Sequence, residues 1–152
     1  MVRCFAAIAA AVLLCAPARA EWSIFSDSRG SSVQYPREVF SVPAGGGEPP
    51  GPVLQSADGR ARLHVFTLPN ERRASPAEFI RRTVSSQGER LSYKRVTDRF
   101  LVFSAAQGDL ILYRRCNFVA AGIHCFDVRY PRADKRAWDG PVTRMSFSLR
   151  PR

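Results

Sequence analysis

The side chains that could carry chemistry at neutral pH are few: two histidines, two cysteines beyond residue 20, and scattered serines and carboxylates. His64 and His124 each fall in a strand-like run. His124 beside Cys125 offers the residue types of a thiol nucleophile and its base. Adjacent residues of a strand point to opposite faces, however, so these two side chains diverge. Ser104, His124 and Asp109 have the types of an acyl-transfer triad, but Ser104 sits inside a strand pattern and no G-x-S-x-G elbow exposes it. Zinc ligands usually come in close pairs such as C-x-x-C, and these histidines and cysteines do not. Gly45-Gly46-Gly47 runs into proline rather than into a Lys-Ser/Thr and a helix, so it is not a phosphate loop. No catalytic set, metal site or cofactor follows from these residues. The competing reading is a small exported hydrolase or thiol enzyme using His124 with Cys125 or Ser104.

The two cysteines have a different use. Leu110-Ile111-Leu112-Tyr113 and Phe126-Asp127-Val128-Arg129-Tyr130 are strand-like runs around Val119-Ala120-Ala121-Gly122. A four-residue loop there sets Phe118 opposite Ile123 and therefore Cys116 opposite Cys125, within reach of a disulfide. Gly122 is expected to take the left-handed conformation that such loops often need. Closing this loop is worth about 2.5–3 kcal/mol in the chain-entropy account. The same register places Arg114 across from Asp127, read as a surface ion pair worth less than about 1 kcal/mol.

A disulfide needs an oxidising compartment, and the N-terminus points to one. Arg3 precedes an apolar stretch from Phe5 to Cys15, and Ala18-Arg19-Ala20 has the small-x-small pattern accepted by signal peptidase. Residues 1–20 are thus expected to be a signal peptide cleaved after Ala20, with a periplasmic or secreted product. Bulky Leu14 before Cys15 argues against a lipid-modified cysteine. The apolar stretch is too short for a transmembrane helix, which needs about 20 apolar residues, and no later run is longer. Residues 21–152 suit a single domain.

Of the 23 Lys and Arg, only Arg3 and Arg19 precede residue 21, which leaves 21 against 13 acidic residues, a net +8, on residues 21–152. The excess is uneven: residues 114–152 carry nine basic and three acidic residues. Arg129, Arg132, Lys135 and Arg136 cluster just after the cysteine hairpin and form the candidate patch for an anionic partner, either an envelope protein or a lipid-headgroup or polysaccharide surface. Export argues against nucleic acid. The aromatics fall at strand spacing and are read as core rather than as a base-stacking surface.

Among the elements, Ser75-Pro76-Ala77-Glu78 marks a helix start, with an N-cap serine, a first-turn proline and a capping glutamate. Ala77, Ile80 and Val84 then share its inner face beside Phe79, and Arg81 and Arg82 are placed in its last turns. Runs at 21–25, 32–35 and 39–42 read as short strands, and 43–52, nearly all Gly and Pro, as an irregular loop. Val53–Ser56 and Ala61–Thr67 form a hairpin through Asp58-Gly59. Runs at 91–96, 100–105, 109–118 and 123–130 make an antiparallel meander. Gly140-Pro141 is expected to interrupt the tail, leaving a helical turn over 134–138 and a short helix from Pro141 with Val142, Met145 and Leu149 inward.

The order of these features carries a resemblance. Tyr35-Pro36 and Phe40, a glycine-rich insertion, an Asp-Gly hairpin, a capped helix, a meander, and a strand ending at Tyr130-Pro131 before a terminal helix follow one another. This layout resembles the PsbP-like superfamily of extrinsic photosystem and Ran-release-factor type domains, particularly its small exported bacterial members. The resemblance implies an α+β fold, an antiparallel β-sheet flanked by one or two α-helices, in an accessory or binding module. It implies no particular reaction, and no functional residue carries over.

Overall fold

The computed structural model describes residues 21–44, 51–87, 90–120 and 122–151. The expected signal peptide, 1–20, and the triple glycine of the Gly/Pro segment lie outside the described residues. The described residues form ten strands: β1 Trp22–Ser26, β2 Ser31–Pro36, β3 Phe40–Ala44, β4 Val53–Ser56, β5 Arg62–Leu68, β6 Arg90–Val96, β7 Phe100–Gln107, β8 Leu110–Val119, β9 Gly122–Pro131 and β10 Arg150–Pro151. The helices are α1, Pro76–Gln87, and α2, Lys135–Ser148. One antiparallel sheet has the order β3-β4-β5-β9-β8-β7-β6, and a smaller one the order β1-β2-β10.

The meander forms as its turn-sized gaps require, and β5 then adds to β9 from far along the chain. That makes β9 a central strand, buried on both faces for most of its length. Alternation along β5, β7, β8 and β9 divides the core in two. Phe66, Leu101, Phe103, Leu112, Ile123 and the disulfide pack with Ile80 of α1. On the opposite face, Val65, Phe126 and Val128 pack with Val33 of β2, with Val142 and Met145 of α2, and with Leu149 just beyond its end. Of the expected inner face of α1, Ile80 is buried and Val84 half-buried, whereas Ala77 is exposed. The capping box is as expected: Glu78 N–H donates to Ser75 Oγ (3.3 Å) and Ser75 N–H to Glu78 Oε2 (2.8 Å). Because the helix continues to Gln87, Arg81 and Arg82 lie in its middle and not in its last turn.

The hairpin register is the expected one, Phe118 opposite Ile123 and Cys116 opposite Cys125, with a disulfide across a Cα separation of 4.1 Å. Pairing continues to Val119 opposite Gly122, so the loop is shorter than four residues. Gly122 is an extended strand residue rather than a left-handed one; its need for a missing Cβ comes from Leu68 O, 2.9 Å from where that atom would be. Gly59 does take the left-handed conformation (φ 70°) in the Asp-Gly hairpin. Pro43 and Ala44 belong to β3 rather than to an irregular loop. A proline is tolerated there because β3 is an edge strand.

The tail differs most. α2 is continuous from Lys135 to Ser148 and contains Pro141. Two local features reduce the expected disruption. Gly140 has no Cβ to crowd the proline ring, the clash that normally pushes a pre-proline residue out of the helical region. The carbonyl deprived of its hydrogen bond belongs to Ala137, an exposed residue that water can reach. Trp138 anchors the first turns by stacking on Tyr130 (5.0 Å between centroids) and meeting Phe40 (5.6 Å).

Candidate functional site

The side chains with catalytic potential are dispersed by this fold. Cys116 and Cys125 are joined and buried. Ser104 shares a cross-strand row with Tyr113 and Val128, whereas His124 lies in the row of Asn117 and Phe100. The two rows are four residues apart, about 13 Å along the strands, so no triad with Asp109 forms. His64 and His124 lie on opposite faces of the large sheet, as the partners Asp127 and Asn117 show. Among the described residues, no three His, Cys, Asp or Glu side chains gather to hold a metal ion.

His124 instead has a partner invisible in the sequence. Its Nδ1 lies 3.0 Å from Ser31 Oγ, which also meets Thr67 Oγ1 at 2.6 Å and Phe66 O at 3.1 Å. This is a serine–histidine pair of the right types, but Ser31 is wholly buried and His124 is 5% exposed. A substrate carbonyl cannot reach that hydroxyl. The pair therefore ties β2 to the central sheet.

On the helix-α1 face, Arg114 donates through Nε and Nη2 to the two Asp127 carboxylate oxygens, at 2.5 Å each. This is not the surface pair expected. Arg114 and Asp127 are only 7% and 5% exposed, and the guanidinium lies 5.6 Å from the Phe66 ring centroid and 5.7 Å from that of Phe103. The register was legible; the burial arises because β8 and β9 are interior strands of a seven-stranded sheet. His64 stands opposite Asp127, its buried Nε2 without a hydrogen-bond partner among the described residues. Gly51 packs over it, where a Cβ would come within 3.0 Å of Nε2 and 2.5 Å of Val65 O.

Burial lowers the pKa of both histidines from the usual 6.5. For His64, Asp127 and Asp27 oppose the shift, while Arg114 and Arg129 add to it; for His124 only Asp27 opposes it. Both sites bind protons less tightly folded than unfolded. The stability they contribute is present above about pH 6.5 and is lost as pH falls through the depressed folded values. Urea melts should show this decline below about pH 6.5, above the carboxylate range, and the His64→Gln/His124→Gln variant should flatten it. An unchanged slope in that variant would assign the decline to other groups.

The candidate basic residues are set around one end of the molecule. Arg129 is exposed between buried Val128 and Tyr130 of β9, directly opposite Arg62 of β5. Arg132 lies in the single turn of 3-10 helix between β9 and α2, and Lys135 and Arg136 open α2. Acidic groups are interspersed: Lys135 pairs with Asp139 (3.0 Å), and Arg60 bridges Asp58 (2.7 Å) and Asp134 (3.7 Å).

A second basic group, missed in the linear sequence, forms on the helix-α2 face. Arg95, Val102 and Arg115 make one cross-strand row, and both guanidinium groups lean over Phe100, at 5.4 and 4.5 Å from its centroid. Arg115 also donates to Asn117 Oδ1 and Ser146 Oγ, while Arg150 donates to the carbonyls of Phe147 and Leu149 at the end of α2. Among the described residues none of the three makes an ion pair with a carboxylate. Burial pushes the Arg115 guanidinium below its usual pKa, and the charges of Arg150 and Arg95 push the same way. Exposed Tyr93 (50%) and Phe147 (69%) flank the group. Only the meander register could have revealed it, by placing Arg95 and Arg115 either side of Val102.

A seven-stranded antiparallel sheet with a helix on each face and a small sheet beside the second helix is the PsbP-like α+β fold. The chain is similar to the solution structure of cyanobacterial PsbP (CyanoP) from Synechocystis sp. PCC 6803, at a TM-score of 0.60 over 91% of this chain and 97% of that one, with 13% identity. The likeness is therefore one of fold. No protein-family model and no curated protein sequence matches the chain. Among the described residues, no helix is long and apolar enough to cross a membrane.

Proposed function

We propose that residues 21–152 form a non-enzymatic accessory module of the cell envelope, exported on residues 1–20, that docks through its arginines on an anionic partner, a protein or an envelope surface. The observation that carries this reading is the Arg95–Arg115–Arg150 group. Three like charges held together, one of them half-buried, oppose each other unless an anion joins them. The exposed Arg129, Arg132 and Arg136 extend the positive surface at the other end of α2. PsbP-like resemblance points to the same class of role. The enzyme reading has little to draw on, since the bonded cysteines and the buried Ser31 hydroxyl offer no accessible nucleophile.

Association of the native protein with envelope extract and with anionic vesicles, measured between 50 and 200 mM salt, tests this. Binding should weaken at least tenfold across that range, as exposed charges are screened over a Debye length of about 8 Å at physiological ionic strength. Reversing Arg129, Arg132, Lys135 and Arg136 together, and Arg95 with Arg115 separately, should show which end of the molecule carries it. Association insensitive to salt and to both sets of reversals would refute the proposal.

A further inference from the structure

The large sheet has two edges, and they are not equivalent. β3 is closed to pairing by Pro43, which has no N–H, and by an irregular register between Phe40 and Val42. β6 is open: among the described residues no strand lies beyond it, and Ser92, Tyr93, Lys94 and Arg95 are all exposed. A cavity lies on each side of this edge. Between α1 and β6 is one of about 550 Å3 with an apolar floor of Ile80, Val84, Leu91 and Val96 and cationic Arg81 and Lys94. On the α2 face, one of about 390 Å3 is lined by Tyr93, Ser104, Tyr113 and Thr143 and, at its α2 wall, by the Lys135–Asp139 ion pair. Arg95 belongs to that second face, where it shares Phe100 with Arg115.

From this geometry we infer that the outer edge of β6 is a docking strand for an extended segment of a partner protein that carries alternating apolar and acidic side chains. The inference rests on the proposed anionic-partner role and specifies the partner's chemistry. An added strand satisfies the exposed backbone groups of β6 and sends successive side chains to opposite faces, one set into each cavity. Carboxylates on the α2-facing side meet Arg95 and Arg115, neither of which has an ion pair among the described residues, while the apolar side chains enter the cavity floored by Ile80, Val84, Leu91 and Val96. A second copy of this chain is a poor occupant: pairing β6 with itself would bring Lys94 and Arg95 against the same cations. The irregularity between Leu91 and Tyr93 limits regular pairing to Tyr93–Val96, about 13 Å of strand.

The test uses the full native protein and a fluorescein-labelled octapeptide alternating valine and glutamate, read by fluorescence polarisation and by amide exchange. A valine–lysine peptide is the charge control. Two further versions are N-methylated at every other residue, one in each register, so that backbone pairing is blocked while charge is kept. The glutamate peptide should bind and the lysine peptide should not. One N-methylated register should bind at least tenfold more weakly than the parent, and the amides of Tyr93–Val96 should gain protection. Lys94→Glu/Arg95→Glu, at exposed positions, should weaken binding at least tenfold with an unchanged circular dichroism spectrum. Equal binding of both N-methylated peptides would overturn the edge and leave the anionic-partner role intact. So would absence of peptide binding in a protein that still associates with envelope in a salt-sensitive way. Dimerisation of the protein alone with protection of the Tyr93–Val96 amides would overturn the inference in favour of a second copy. Loss of peptide and envelope association together would reject both readings.

Discussion

Replacing Asp127 with alanine is expected to lower the unfolding free energy by about 3–5 kcal/mol, because it takes from the buried Arg114 the carboxylate that accepts two of its hydrogen bonds. Arginine cannot escape by losing its proton, since a guanidinium stays charged throughout the pH range of folded proteins. The flanking Phe66 and Phe103 rings offer attraction to the cation but no hydrogen-bond acceptor comparable to a carboxylate. For a domain of this size each kcal/mol moves the melting temperature by about 3–5 °C, so a fall of roughly 9–25 °C follows. Arg114→Met/Asp127→Leu should recover part of the loss, because the two opposite charges are removed together. Denaturant melts of the single and double variants measure both quantities. A single-variant loss below about 1 kcal/mol would mean that the pair behaves like an exposed one, contrary to its burial.

That ion pair also marks the boundary of what the sequence discloses. Its register follows from the alternation around the cysteine hairpin, a local pattern that also puts Cys116 opposite Cys125. Its burial depends on β5 joining β9, a contact between segments some 60 residues apart that no local periodicity specifies. The Ser31–His124 bond spans 93 residues and is illegible for the same reason. The capping box, the Asp-Gly turn and the meander were legible because each lies within one short segment. Charge behaved differently. Counting placed the basic excess in residues 114–152, but only the fold decides which cations meet acids: Lys135 finds Asp139 one helical turn away, whereas Arg115 finds Phe100, Ser146 and Asn117. Pro141 is accommodated inside α2 because the residue before it has no Cβ and the carbonyl it orphans faces water, two conditions that the general rule for helix interiors does not contain.

The continuity of α2 matters because the helix is both a wall of the groove beside β6 and the lead into β10, and Met145 is the side chain on which it turns. Met145 is fully buried, in one cluster with Val33, Phe126 and Leu149. Met145→Ala removes most of that side chain from a site hemmed in by two sheets, and a loss of about 2–5 kcal/mol is expected, the upper part of the range if the walls cannot close on the cavity. The loss should be spread along the tail rather than confined to one position. Ser148 Oγ accepts the Gln34 N–H at 2.8 Å, and Arg150 pairs with Ser32, so β2, α2 and β10 are hydrogen-bonded into one unit. Amide exchange should therefore accelerate together at Ser32, Gln34 and Arg150, while the amides of β7 and β8 change only with global stability. Uniform acceleration across both sheets would show instead that α2 and the meander unfold as a single cooperative body.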